Sequence, residues 1–146
     1  MFALLRPTIP REHKVLLANS AASLRKQIAD AYAAFSFGQR TGEQAQFEER
    51  LNGVYTAAYL AGFAHGLVPD LTENERLRAN YSRRVFNALI PGRGAAFVQR
   101  HLAANLDDPN AEFKVGFLAG QLDMATWRFD DSQPIQLGQY LLTGRL

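Results

Sequence analysis

Apolar residues recur at three- and four-residue intervals along the first third of the chain. This spacing is the period of one face of an α-helix and predicts a long amphipathic helix. The helix is expected to open at Thr8-Ile9-Pro10, because the missing N–H of a proline costs little in a first turn, and to end at Gly38. The apolar stripe consists of Leu17, Ala21, Leu24, Ile28, Ala31 and Phe35.

A second helix is predicted over residues 42–67, opened by a capping box in which Thr41 and Gln44 exchange hydrogen bonds. Its apolar residues cover most of the helix circumference, which is typical of a helix at the centre of a protein. Residues 51–69 carry no formal charge and, at nineteen residues, could span a bilayer. Because they include His65 and three glycines, we expect a helix buried inside a soluble bundle instead.

Two further helices are predicted between residues 72 and 106. Thr72 and Glu75 form the ends of another capping box, and the helix that it opens runs to about residue 89. Residues 91–94 contain a proline and two glycines and break the chain. A shorter helix is expected from Ala95 to about Leu106.

The fifth predicted helix covers residues 109–128 and is capped by Asp108-Pro109. Residues 134–143 are either a short helix or an extended tail, because so few residues show no clear period. We therefore expect an all-α, single-domain bundle of five or six helices over residues 1–146, with helices 42–67 and 109–128 central. The apolar stripe of the fifth helix is Phe113, Phe117, Gly120, Met124 and Trp127.

The second and fifth predicted helices share a sequence echo, in which residues 59–62 match residues 117–120 at an offset of 58. Each helix also carries a row of small residues at four-residue spacing, including Gly62 in one and Gly120 in the other. Glycine costs about 1 kcal/mol relative to alanine inside a helix, so such rows indicate that another backbone comes close. We predict that the two helices cross tightly in the core, and duplication or chance would explain the echo equally well.

The composition excludes several kinds of site. The chain has 146 residues, the size of one domain, and contains no cysteine, so a disulfide framework, a Cys-ligated metal and a thiol nucleophile are all ruled out. Its net charge of +2 is divided into blocks of alternating sign, which suits helices whose charged rims pair with one another. The first residues lack the charge order of a signal peptide, so we expect a cytoplasmic protein outside the membrane.

The three histidines, His13, His65 and His101, follow no metal-binding pattern, and we expect no metal site. His65 lies late in the most apolar helix, and its counterpart in the echo is Asp123. If the helices cross as predicted, the two side chains could form a buried polar pair with a shifted proton affinity. A structural role is the alternative to a ligand-binding or catalytic one.

Residues 76–100 carry six arginines and no acidic residue. Guanidinium groups bind phosphates and acidic protein surfaces alike, and the segment around Arg93 precedes a helix whose free amides could hold an anion. The alternative is that this face pairs with acidic rims of the fold itself. The candidates for binding an anion or a partner are Arg76, Arg83, Arg84, Arg93 and Arg100.

No Walker loop, dinucleotide-binding fingerprint, nucleophile elbow or EF-hand loop is present, and we expect no cofactor. The leading hypothesis is a small non-enzymatic protein-binding module, of the adaptor or inhibitor kind, that meets another protein through a charged helical face. One alternative is a nucleic-acid-binding accessory protein that uses Arg76–Arg100. Another is a small-molecule site or enzyme where the second and fifth helices cross, around His65 and Asp123. The oligomeric state stays open.

Overall fold

A computed structural model describes residues 10–37, 43–90, 93–105 and 107–146 of the protein. Within those ranges the chain forms seven α-helices and no strand, in one compact unit, so the all-α prediction is confirmed. The helices are α1 (Arg11–Phe37), α2 (Glu43–Leu51), α3 (Val54–Leu71), α4 (Glu75–Leu89), α5 (Arg93–Ala104), α6 (Ala111–Asp130) and α7 (Gln136–Thr143).

The first helix, α1, buries the stripe that its sequence pattern predicts. Residues from Leu17 to Ala31 on this stripe are buried or half-buried, and they pack against α4 and α7. The predicted opening residues Thr8 and Ile9 and the predicted stop at Gly38 lie outside the described residues.

The helix predicted over residues 42–67 is wrong in its bounds, because the structure divides it into α2 and α3. The chain turns at Gly53, which is extended (φ −95°, ψ −178°) and caps the start of α3. The Thr56 hydroxyl donates to the Arg50 carbonyl at 2.7 Å across the break. Periodicity missed the break because Leu51 and Val54 continue the apolar pattern on either side of it. This division and the helical state of residues 136–143 raise the helix count to seven.

Two predicted helix caps are displaced by two residues. The side chain of Asn74, and not that of Thr72, caps α4 by accepting a hydrogen bond from a first-turn amide at 2.9 Å. Asn110 caps α6 in the same way at 2.7 Å, in place of Asp108. In both cases an asparagine carbonyl standing directly before the helix satisfies one of its free amides. The cap proposed at Thr41 lies outside the described residues.

The helix α3 is central, since 13 of its 18 residues are buried. It continues through Pro69 to Leu71, past its predicted end at residue 67. The uncharged segment thus lies in the protein core, as predicted. Among the helices described here, none has both the length and the apolar character that a bilayer crossing requires.

The helices α3 and α6 run parallel and touch backbone to backbone. A Cβ atom placed on Gly62 would lie 2.0 Å from the carbonyl oxygen of Phe117. A Cβ atom on Gly120 would lie 2.0 Å from the carbonyl oxygen of Tyr59. Because no carbon and oxygen approach this closely without a bond, only the hydrogen of a glycine fits at either place. The predicted tight crossing is confirmed.

The contacts at this crossing are reciprocal. Gly62 and Gly120 are 58 residues apart, and so are Tyr59 and Phe117. The contact of Gly62 with Phe117 is therefore the counterpart of the contact of Gly120 with Tyr59. The residues of the sequence echo therefore lie on two parallel helices that are related approximately by a local two-fold axis. The glycine of each helix contacts a backbone carbonyl of the other.

Replacing Gly62 by alanine should destabilise the protein. Alanine is the better helix former by up to about 1 kcal/mol, but its methyl group would collide with the Phe117 carbonyl and force the helices apart. We expect Gly62→Ala to lower the free energy of unfolding by about 1–3 kcal/mol or more. Urea unfolding followed by circular dichroism measures the change.

The matched control is Gly138→Ala in α7, where the nearest atom to an added Cβ lies at an ordinary 3.6 Å. This variant should keep or slightly raise the free energy of unfolding, because it gains helix propensity without a clash. Equal losses in both variants would contradict the role given to the close backbone contact at Gly62.

Candidate functional site

Asp123 of α6 is a buried carboxylate at the heart of the helix packing, 5% exposed. Its Oδ2 accepts hydrogen bonds from the Tyr59 hydroxyl at 2.5 Å and from the backbone N–H of Gln136 at 2.9 Å. Its Oδ1 accepts from Nε2 of Gln136 at 3.0 Å. These bonds replace the water that a buried carboxylate loses, and they tie α6 to α3 and to the start of α7.

Gln27 of α1 extends this network to a fourth helix. Its Nε2 donates to the Tyr59 hydroxyl oxygen at 3.0 Å, and its Oε1 accepts from the backbone N–H of Gly138 at 2.9 Å. The side chains of Gln27, Tyr59, Asp123 and Gln136 thus join α1, α3, α6 and α7. Because their hydrogen bonds are made inside the protein, the network acts as a structural tie between helices.

The network and its surroundings keep three tyrosines neutral. Burial, with the Asp123 carboxylate adding to it, raises the pKa of Tyr59 far above its usual range. Burial, again with help from Asp123, raises the pKa of Tyr55 to about 12. Burial also raises the pKa of Tyr140, whose hydroxyl donates to Glu112 at 3.2 Å. In the folded protein these hydroxyl groups keep their protons at pH values where an unfolded chain would lose them.

The stability of the protein should therefore fall in alkaline solution. Above about pH 10 the unfolded chain releases tyrosine protons that the folded chain retains, so the free energy of unfolding decreases with pH. The decrease is up to about 1.4 kcal/mol per pH unit for each such tyrosine. We expect Tyr59→Phe to have a smaller alkaline slope than the wild type, measured by chemical unfolding at a series of pH values.

At neutral pH the same Tyr59→Phe variant should be less stable than the wild type by about 1–3 kcal/mol, since Asp123 loses its hydroxyl donor while staying buried. An alkaline slope identical to that of the wild type would show that Tyr59 does not hold its proton in the fold.

The expected pairing of His65 with Asp123 is wrong in this structure. His65 is exposed, and its Nδ1 lies 3.1 Å from Nε2 of Gln121. Its ring lies against that of Phe117, with the centroids 5.5 Å apart. The parallel crossing turns Asp123 toward Tyr59, and His65 falls on the flank of α3 where it meets solvent. The sequence echo relates the two positions but does not bring them together.

A cleft of about 540 Å³ opens between α4 and α5, with side chains of α3 and α6 at its base. Both α4 and α5 pack on α3, which holds the two walls in place. The volume is that of a small-molecule pocket. The apolar lining consists of Ala61, Ala64, Phe86, Leu102 and Phe117, and the polar lining of His65, Ser82, Arg83 and Gln99.

The predicted arginine set does not converge on one site. Arg83 lines the cleft, while Arg76 and Arg84 are exposed elsewhere on α4 and Arg100 is exposed on α5. Arg93 begins α5, but its side chain lies outside the described part of the structure. Among the described side chains of the set, Arg83 alone belongs to the lining of the cleft.

The outer side of α6 carries a continuous apolar stripe, which we call the α6 seam. Its members follow one another at intervals of four, three, four, three and four residues, and all are exposed. The largest are 55% exposed (Leu118), 51% exposed (Leu122) and 74% exposed (Phe129). The α6 seam consists of Ala111, Val115, Leu118, Leu122, Ala125 and Phe129.

Sequence reasoning missed the α6 seam although the pattern is visible in the chain. The sequence pattern predicts that the stripe from Phe113 to Trp127 is the apolar face of this helix, and this stripe does face the protein interior. A second stripe at heptad spacing on the same helix was the available signal. The cleft had no such signal, because Ser82, Gln99 and Phe117 come from three helices and meet only in the fold.

Comparison with family models, curated proteins and solved structures finds no match to this chain. Among the described residues, no group of three or more His, Asp or Glu side chains is placed to hold a metal ion. The cleft and the α6 seam are therefore the features of the described structure from which a function can be inferred.

Proposed function

We propose that this chain is a non-enzymatic, cytoplasmic protein-binding module whose partner docks on the α6 seam. The observation that supports the proposal is the exposed apolar stripe, with its alternating spacing of four and three residues. That spacing is the one by which two helices pack side by side in a coiled coil. A helix of another polypeptide, with a matching apolar face, is therefore the partner that fits.

Packing inside the protein does not account for the α6 seam. Gly116, Gly120 and Met124 occupy the opposite side of α6 and contact α3 there. The core would be complete with polar residues at Leu118 and Leu122, which lie at the surface. Contiguous exposed apolar surface on a folded chain is typical of a protein interaction site.

The seam differs in character from the charged face that the sequence suggested. The exposed arginines of α4 and α5 are divided between two helices, and Arg83 belongs to the cleft. Nucleic acid is bound through several cations on one continuous surface. The apolar stripe of α6 is continuous over five helical intervals, so it supports protein binding more directly than the arginines support nucleic-acid binding.

Site-specific photo-crosslinking in cells of the source organism tests the proposal. A photoreactive residue in place of Leu118 should give an adduct of one defined mass, either with another protein or with a second copy of the chain. The same residue in place of Val15, an equally exposed apolar position on α1, should not give it. Light scattering of the purified protein then shows whether the occupant is a second copy.

The double variant Leu118→Glu with Leu122→Glu should abolish the adduct formed from a photoreactive residue at position 115, because a carboxylate cannot enter an apolar interface unpaired. Its helical content should be unchanged, since both side chains are exposed. The matched control Val15→Glu should keep the adduct. Identical adducts from positions 118 and 15, or none from either, would refute a binding role for the α6 seam.

A further inference from the structure

The cleft between α4 and α5 lies apart from the α6 seam and has a chemistry of its own. Its base is apolar, with Ala61 and Ala64 buried and Phe117 half-buried. Its rim is polar and includes Arg83 and His65. A pocket with an apolar body and a few convergent polar groups is the usual form of a small-molecule site.

The charge at the rim has one sign. The guanidinium group of Arg83 has no ion-pair partner among the described side chains. Among the described residues that line the cleft, none is acidic. An apolar cavity with an unpaired guanidinium at its mouth favours a ligand that joins an anionic head to an apolar body.

His65 adds a second donor to the same rim. The side-chain amide of Gln121 can only donate from Nε2, so the Nδ1 of His65 that it meets is an acceptor. The other ring nitrogen, Nε2, then carries a proton and can donate it in a hydrogen bond to an anion. The hydroxyl of Ser82 and the amide of Gln99 complete the polar lining.

We propose that the cleft binds a small amphipathic carboxylate, with its head at Arg83 and its tail against the apolar side chains of Phe86 and Phe117. The cavity of about 540 Å³ suits a free small molecule of this kind. The proposal is independent of partner binding at the α6 seam, because the seam residues do not line the cleft.

Titration calorimetry with decanoate, kept below its micelle concentration, tests the proposal. Decanoate should bind to the whole chain, whereas decanol and decyltrimethylammonium, which share the tail, should bind much more weakly. Arg83→Gln should weaken decanoate binding at least about tenfold, because it removes a charge-assisted hydrogen bond. The matched control is Arg76→Gln on the same helix, outside the cleft, and it should leave the affinity unchanged.

A second variant fills the cavity and keeps the charge. Gln99 is exposed on α5, so Gln99→Trp should fold normally by circular dichroism and should also weaken decanoate binding. Equal affinity in Arg83→Gln and the wild type, equal binding of the three probes, or no binding of decanoate would overturn the proposal. If Leu122→Glu lost decanoate binding while Arg83→Gln and Gln99→Trp kept it, the ligand would lie on the α6 seam, and the proposal for the cleft would also be overturned.

Discussion

Two carbonyl oxygens set the distance between the central helices of this protein. The Phe117 carbonyl occupies the space that a side chain at position 62 would need, and the Tyr59 carbonyl does the same at position 120. Because glycine has only a hydrogen atom in place of a side chain at positions 62 and 120, α3 and α6 approach until their backbones touch. The dispersion attraction between two long surfaces in contact then offsets the poor helix propensity of glycine. The helices α2, α4, α5 and α7 pack on this parallel pair, and α1 packs on α4 and α7.

The buried polar network depends on that closeness. Because α3 and α6 are pressed together, the Tyr59 hydroxyl reaches the Asp123 carboxylate at 2.5 Å, and α1 and α7 attach to the same cluster through Gln27 and Gln136. Hydrogen bonds inside a protein are directional and costly to leave unmade. The network therefore specifies how the outer helices sit on the central pair, which apolar contacts alone would define less sharply.

The two candidate sites follow from how α6 divides its surface. One face of α6 packs against α3 through Gly116 and Gly120. The opposite face, from Val115 to Phe129, is exposed to solvent. Between these faces, Phe117 contributes to the cleft that α4 and α5 enclose. A single helix thus supplies the core contact, the proposed docking seam and part of the proposed ligand-binding cleft, each on its own side.

The sequence by itself determined the helical class, the central place of the two glycine-containing helices and their close crossing. These features depend on local periodicity and on the smallness of Gly62 and Gly120, and both properties are present in the chain before it folds. The break at Gly53 was missed, because the apolar pattern continues on either side of it. The caps at Asn74 and Asn110 were misplaced by two residues, because neighbouring residues carry nearly the same signals.

Only the tertiary structure decided the partners of the polar side chains. Asp123 meets Tyr59 and not His65, since the rotation of one helix against the other selects which positions face each other. Arg83 shares a cleft with residues from other helices, whereas Arg100 does not line it. A spacing along the chain specifies the face of a helix on which a side chain lies. What lies opposite that face depends on the packing of segments that are remote in sequence.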